Sequence, residues 1–323
     1  MRNYLGVLLL MLVFISCIKE KQEISPFNEY KLPKLVRLNG IVCTSEKEWF
    51  VVGGKKMEEG YVFHTKDAGL TWSTFQTDEV SNLYTIAFRD SLNGMAGGDR
   101  CFYWTTADGG ATWHYRWLAQ QVPFNGEDRP AIRDIQYVGD STVLFCCGES
   151  FNKGVFYRTT DLGQSWQFDF YPHELRTILL SNQNGSAQVS GYGFGINVSS
   201  NYAESAGTDL SGRYIMASAT HKSDFFQVDF EGSVSKSNSV SGPWNEVYSG
   251  RKLFSKRITL NAIASNESSI AVVGNEGVVL ISENDGQNWK TFALENKPHL
   301  FDVAWTGKNW LAVSDEGVVY AFN

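Results

Sequence analysis

The sequence predicts an all-β protein assembled from repeated antiparallel sheets, and three observations carry that prediction. The first is a refrain, with "HTKDAGLTWS" at 64–73, "TTADGGATWH" at 105–114, "RTTDLGQSWQ" at 158–167 and "ISENDGQNWK" at 281–290. The second is spacing: the tryptophans closing these copies and a degraded one, "SNSVSGPW", are Trp72, Trp113, Trp166, Trp244 and Trp289, at intervals of 41, 53, 78 and 45 residues. The third is alternation of apolar and polar residues with period two between the refrains, the pattern of strands and not of helices. A unit of about 40–45 residues made of short strands has the size of one four-stranded propeller blade, and the longest gap accommodates a unit that lacks its Trp. The expectation is a seven-bladed β-propeller over residues 28–323.

The chain ahead of it reads differently. Arg2, the apolar run from Leu5 to Ile15 and the small residue Ser16 predict an export signal over 1–16, too short to persist as a membrane span. Its end, "FISC", resembles a bacterial lipobox. That resemblance implies that Cys17 becomes the lipidated first residue of the mature chain, holding the protein on a membrane of the bacterial cell envelope while the rest stays in water. Residues 17–27 are read as a charged tether leading into the first strand.

Within the repeats, the first strand of each unit reads "LNGIVC", "LYTIAF", "IRDIQY", "LRTILL", "RYIMAS", "LNAIAS" and "LFDVAW", starting at 38, 83, 132, 175, 213, 260 and 300. Second runs close on Gly, as in "WFVVGG" and "IAVVG", and third runs open on Gly, as in "GYVFHT" and "GVVLIS", which suits tight turns. The refrain follows the third strand, so it is the hairpin to the outer strand. Its Ser or Thr and its Asp bond backbone N–H groups inside the turn, its Gly takes the unusual backbone, and its Trp folds back to be buried. The last unit ends after its third strand at Asn323, and "NEYKLP" at 28–33 is expected to supply the missing outer strand and close the ring.

These turns resemble the Asp-box, or BNR, repeat of sialidases, sortilin-type receptors and photosystem II assembly factors. The resemblance gives a structural role to Asp67, Trp72, Asp108, Trp113, Asp161, Trp166, Asp285 and Trp289. The stretch "LYTIAFRDSLNGMAGGDRCFYWTTADGGATW" at 83–113 is similar to the repeat unit of the photosystem II stability and assembly factor type, which implies a non-catalytic propeller that assists assembly of a membrane complex by binding protein. The alternative is a sialidase-like glycoside hydrolase. That family's F/Y-R-I-P segment is absent from this chain, whose nearest pieces are "FRD" at 88–90 and "DRP" at 128–130. No catalytic residue is assigned.

A formal net charge of −7 argues against a nucleic-acid partner. Cys43, Cys101, Cys146 and Cys147 form no CxxC and the five histidines are scattered, so no metal site is expected. The Gly-containing stretches "GYGFG" at 191–195 and "GGDRC" at 97–101 precede no helix, so no cofactor is expected either.

Antiparallel geometry places the refrains on one rim and the inserts "GGKKMEEG" (53–60), "WLAQQVPFNGEDRP" (117–130) and "GESFNKG" (148–154) on the other. Aligning the first strands on their central Ile or Val puts Arg133, Arg176 and Arg213 in consecutive units, two positions earlier. Three guanidinium groups at the mouth of a channel invite an anion, so the expected partner is a protein or peptide of acidic character. Ion pairing with Asp134 or Asp302 is the competing use for these arginines. The anchor has its own test: Cys17→Ala is expected to release the protein from membranes or to leave its signal uncleaved, and fractionation with unchanged retention and normal processing would remove the lipoprotein reading.

Overall fold

The computed structural model describes residues 27–118, 129–181, 185–199, 202, 205–250 and 258–323. The signal, Cys17, nearly all of the tether and the 119–128 part of the longest insert lie outside the described residues. The rest is a β-propeller. Its first sheet shows the plan: strands Arg37–Cys43, Trp49–Lys55, Glu59–Thr65 and Ser73–Gln76 pair antiparallel in chain order, from the inner strand outward.

Neighbouring sheets pack face to face, which explains why the second strands are apolar without interruption. Phe50 and Val52 join Leu83, Ala96 and Trp104 of the next sheet, whereas Val51 and Trp49 join Leu311, Val313 and Val319 of the last one. Cys146 and Cys147 likewise enter different interfaces, and the four described cysteines are free thiols. The ring closes through its N-terminal strand: Asn28–Lys31 pairs with Val318–Phe322, so the sheet begun by Leu300–Trp305 takes its outer strand from the start of the chain.

The blade count differs from the seven expected. The described strands form six blades, five of four strands and one of six. The difference lies in units four and five. There the chain runs through two long strands, Ala187–Val198 and Ser205–His221, which bend at the positive-φ Gly193 and Gly212 instead of breaking. One six-stranded sheet therefore spans what the sequence reads as two separate units.

The refrain is a turn locked by its own side chains. Thr106 Oγ1 donates to Asp108 Oδ1 at 2.8 Å and accepts from Gly110 N at 2.9 Å. Asp108 in turn accepts from Thr112 N and Thr112 Oγ1 at 2.9 and 2.6 Å. The same pattern recurs around Asp67 and Asp161. These donors, led by the Thr112 hydroxyl, pull the Asp108 carboxyl down to about 2. Gly110 is required twice over: its φ is +79°, and a Cβ there would lie 2.5 Å from the Phe50 ring.

In the copy at 281–290 the structure corrects the residue. Asn284, not Asp285, accepts from Ser282 Oγ at 3.1 Å and from Asn288 N at 2.9 Å. Asp285 occupies the left-handed position next to it, with φ +58°, and reaches the adjacent sheet instead, where it bonds His221 Nε2 at 2.9 Å and Lys222. Its carboxyl is lowered by those two partners.

Each refrain tryptophan then bridges two sheets. Trp113 is buried against Phe88 of its own sheet and Phe75 of the preceding one, and the half-buried Trp166 packs on Phe145 and Tyr103 in the same way. Trp72 and Trp289 are half-buried at the equivalent places. Trp113→Ala is expected to cost about 3–5 kcal/mol, the usual range for emptying a large aromatic site. Denaturant unfolding checks it; a loss of binding with unchanged stability would instead make the refrain a site.

Candidate functional site

The first strand of each of the six sheets and the 213–221 part of the long strand Ser205–His221, all of which line the channel, share one irregularity. Each pairs regularly with its neighbour except for one extra residue, located between Leu38 and Gly40, Leu83 and Thr85, Ile132 and Asp134, Leu175 and Thr177, Ile215 and Ala217, Leu260 and Ala262, and Leu300 and Asp302. A β-bulge of this kind re-aims the unpaired side chain. The bulged residues are Asn39, Tyr84, Arg133, Arg176, Met216, Asn261 and Phe301, and together with Arg37 they line a cavity of about 450 Å³ at the centre of the ring.

The structure brings Arg133 and Arg176 together here, but not Arg213. In "RYIMAS" the central Ile or Val of the other strands is replaced by Ser218, so the isoleucine used for alignment, Ile215, is the buried residue before the bulge. The register consequently moves by three, and Met216 takes the lining position. Arg213 stays at the same rim, bound to Asp229 Oδ2 at 3.2 and 3.3 Å. Arg37, which the alignment passed over, joins the mouth from the first residue of its strand. The signal that finds both corrections is the fully buried aliphatic residue just ahead of the bulge: Leu38, Leu83, Ile132, Leu175, Ile215, Leu260 and Leu300 are at most 1% exposed.

The mouth is positively charged, and its charges are unevenly matched. Arg133 donates to Gly148 O at 2.9 Å, approaches Glu149 at 3.5 Å and Glu174 at 3.9 Å, and lies over the Tyr84 ring. Arg176 donates to Glu174 Oε1 at 3.2 Å and to Tyr214 Oη at 3.1 Å. Arg37 rests over the Phe301 ring, 3.7 Å from its centroid, with no carboxylate within ion-pair distance among the described residues. Its side chain is exposed at the mouth yet enclosed by protein at longer range; that withdrawal from solvent, with the charges of Arg176 and Arg133 and against the opposing effects of Tyr84 and Asp315, lowers its pKa. The positive charge of Arg37 is thus the least compensated of the three.

Asp134 and Asp302 do not pair with these arginines. Each accepts a backbone N–H from the next inner strand: Asp134 Oδ2 from Ile178 N at 2.7 Å, Asp302 Oδ2 from Ile41 N at 2.9 Å. Asn39 and Asn261 make the equivalent link by donating to Leu83 O and Leu300 O, at 2.8 and 2.7 Å, and Thr177 meets Ser218 at 2.8 Å. The inner strands are thereby bonded to one another around the channel, although they share no ladder.

The segments set against a sialidase-like site lie elsewhere. Arg89 of "FRD" sits near the refrain rim, bonded to Asp90 and to Asp140 O, and Arg129 of "DRP" stacks on Trp117. Among the described residues no group of His, Cys, Asp and Glu is arranged to hold a metal, and no helix is long and apolar enough to cross a membrane.

The channel carboxylates predict a pH dependence. Burial raises Asp134 to about 6 and Asp302 to about 7, outweighing the N–H donors that pull them down. The folded protein therefore holds protons that the unfolded chain releases above about 3.8, so this stability is complete below that pH and is lost as the pH rises through 6 to 7. The refrain aspartates, lowered in the fold, act in a separate window below about 4. Thermal unfolding is expected at higher temperature at pH 5 than at pH 8, and Asp134→Asn with Asp302→Asn should flatten the difference; a wild type equally stable at both would contradict it.

No protein-family model matches the sequence, and no curated protein matches it. Among solved structures the chain is similar to "YCF48 bound to D1 peptide", with a TM-score of 0.73 and 17% identity over 93% of this chain and 96% of that one. YCF48 from Cyanidioschyzon merolae gives a TM-score of 0.70 and 14% identity over 92% and 98%. Virginiamycin B lyase from Staphylococcus aureus also gives 0.70, at 9% identity over 92% and 98%. At such identities, and with neighbours that differ so widely, what these likenesses establish is the propeller fold.

Proposed function

We propose that this protein is a non-catalytic scaffold, lipid-anchored through Cys17 in the bacterial cell envelope, that holds an anionic protein or peptide segment at the mouth of its channel and works as an assembly factor of the photosystem II assembly factor-like type. The observation that carries the reading is the convergence of Arg37, Arg133 and Arg176, with Arg37 open to a ligand. Guanidinium groups present paired donors to a carboxylate, and a concave mouth with low-dielectric walls strengthens that contact over the same contact in open water.

Two further points support binding over glycoside hydrolysis. Glu174 is occupied by Arg176 and by Phe151 N, and Asp99 by Met57 N, Asn82 N and the Tyr84 hydroxyl, so these carboxylates serve the architecture. In addition, a propeller of closely similar shape is known with a peptide bound. The acidic character of the ligand and the membrane anchor come from the arginines and from the N-terminal sequence, respectively.

Arg37→Ala is the clean test, because no ion pair is broken. It is expected to weaken binding of a fluorescent glutamate-rich decapeptide by about 1.5–3 kcal/mol, reduce the salt dependence and leave the unfolding temperature unchanged. Unaltered affinity, or turnover of a fluorogenic glycoside by the purified protein, would overturn the reading.

A further inference from the structure

Large exposed apolar side chains are mostly scattered over this protein, but on one part of the mouth rim they gather. Phe151, Tyr192 and Phe230 are 53, 42 and 41% exposed. All three surround Tyr214, with ring centroids 5.6, 5.4 and 6.0 Å from it, and Phe151 and Tyr192 touch each other at 4.9 Å. They come from separate turns and strands: the turn after Thr142–Glu149, the strand Ala187–Val198, and the turn after Asp224–Asp229. Contiguous apolar surface rimmed by polar groups marks a place where another molecule is received.

This cluster is built into the arginine mouth. Glu174 Oε1 accepts from Arg176, while Oε2 accepts from Phe151 N at 3.1 Å. The Glu174 backbone donates to Phe151 O at 3.1 Å and accepts from Tyr192 N at 3.0 Å. Phe151 is held with φ +66°, a conformation that costs a bulky residue free energy and persists only where its surroundings impose it. One buried residue therefore fixes both a guanidinium and two exposed aromatic rings, with the Tyr214 hydroxyl on Arg176 completing the junction at 3.1 Å.

We infer that the mouth recognises two chemical features of one ligand: a carboxylate at Arg37, Arg133 and Arg176, and a large apolar side chain on the Phe151–Tyr192–Tyr214–Phe230 cluster. The inference rests on the anionic-peptide reading above and adds what selects the peptide. The occupant is an extended segment of another protein, because its charge must complement the arginines while its apolar group lies on the adjoining rings. The Arg176 guanidinium is 5.6 Å from the Tyr214 centroid, and Tyr192 is one ring further on. At about 3.3 Å per residue, an extended chain covers that span in about three residues.

The test uses the full chain and two fluorescent octapeptides with free C-terminal carboxylates, differing only in phenylalanine or serine three residues before the end. The phenylalanine peptide is expected to bind about tenfold more tightly, the effect of partly burying one aromatic side chain. The double variant Phe151→Ser, Tyr192→Ser should bind both peptides at the serine peptide's affinity. Its changes are confined to exposed rings, and its unfolding temperature is measured alongside. Equal affinities in the wild type overturn the inference; if C-terminal amidation still weakens both peptides, the anionic-peptide reading stands without it. Binding of neither peptide overturns both. A concentration-dependent dimer abolished by the double variant would also overturn it, giving the cluster to a second copy of this chain.

Discussion

Packing sheets face to face around a closed ring gives the second strand of each four-stranded sheet two buried faces, and much of this structure follows from that constraint. Side chains have no solvent face along most of their length, so alternation gives way to runs such as "WFVVGG", whose members enter different interfaces turn by turn. The outer ends of the interfaces are filled by the refrain tryptophans, which reach across to the preceding sheet. At the inner ends the strands crowd together, and a regular strand would bury its side chains there too. The extra residue in each inner strand resolves this by turning one side chain out of the wall and into the channel.

Glu174 shows how little material is needed to organise a surface once that wall is rigid. Its side chain and backbone hold Arg176, Phe151 and Tyr192, which belong to three different strands or turns. Guanidinium and aromatic groups are thus set relative to one another before any ligand arrives, which reduces the ordering that binding would otherwise require. The arginines also retain charge because the nearby carboxylates are used sparingly: Asp134 and Asp302 bond backbone amides, leaving two glutamates among three guanidinium groups.

Much of the architecture was legible in the sequence because the refrain has its own chemistry. Thr106, Asp108, Gly110 and Trp113 each fill a different requirement of one turn, so their spacing survives when the intervening strands diverge. The blade count was less legible: a glycine such as Gly193 marks a bend equally well whether the ladder ends there or continues. The channel lining depended on register, and register on a single residue. In "RYIMAS" the only β-branched aliphatic residue is Ile215, which invites alignment with the central Ile or Val of the other strands, and only its burial ahead of the bulge shows that Ser218 holds that position. Asp285 was misplaced for a related reason, since adjacent Asn and Asp can both accept from a turn, and the neighbouring His221 and Lys222 that claim Asp285 are 64 and 63 positions away. The aromatic cluster left no local signal, because its members are brought together by pairing of distant strand segments and by packing of consecutive sheets.

The direction of the N-terminal strand has a consequence for how the molecule is oriented. Asn28 is opposite Ala321 and Lys31 opposite Val318, and Phe27 packs on Phe322, so the chain enters the propeller at the refrain rim and runs toward the mouth rim. Anything that fixes the polypeptide upstream of residue 27 therefore pulls on the refrain side. The ten residue steps from position 17 to position 27 reach at most about 35 Å when extended. The channel mouth, with its arginines and aromatic rings, opens on the opposite rim, away from the point where the chain enters.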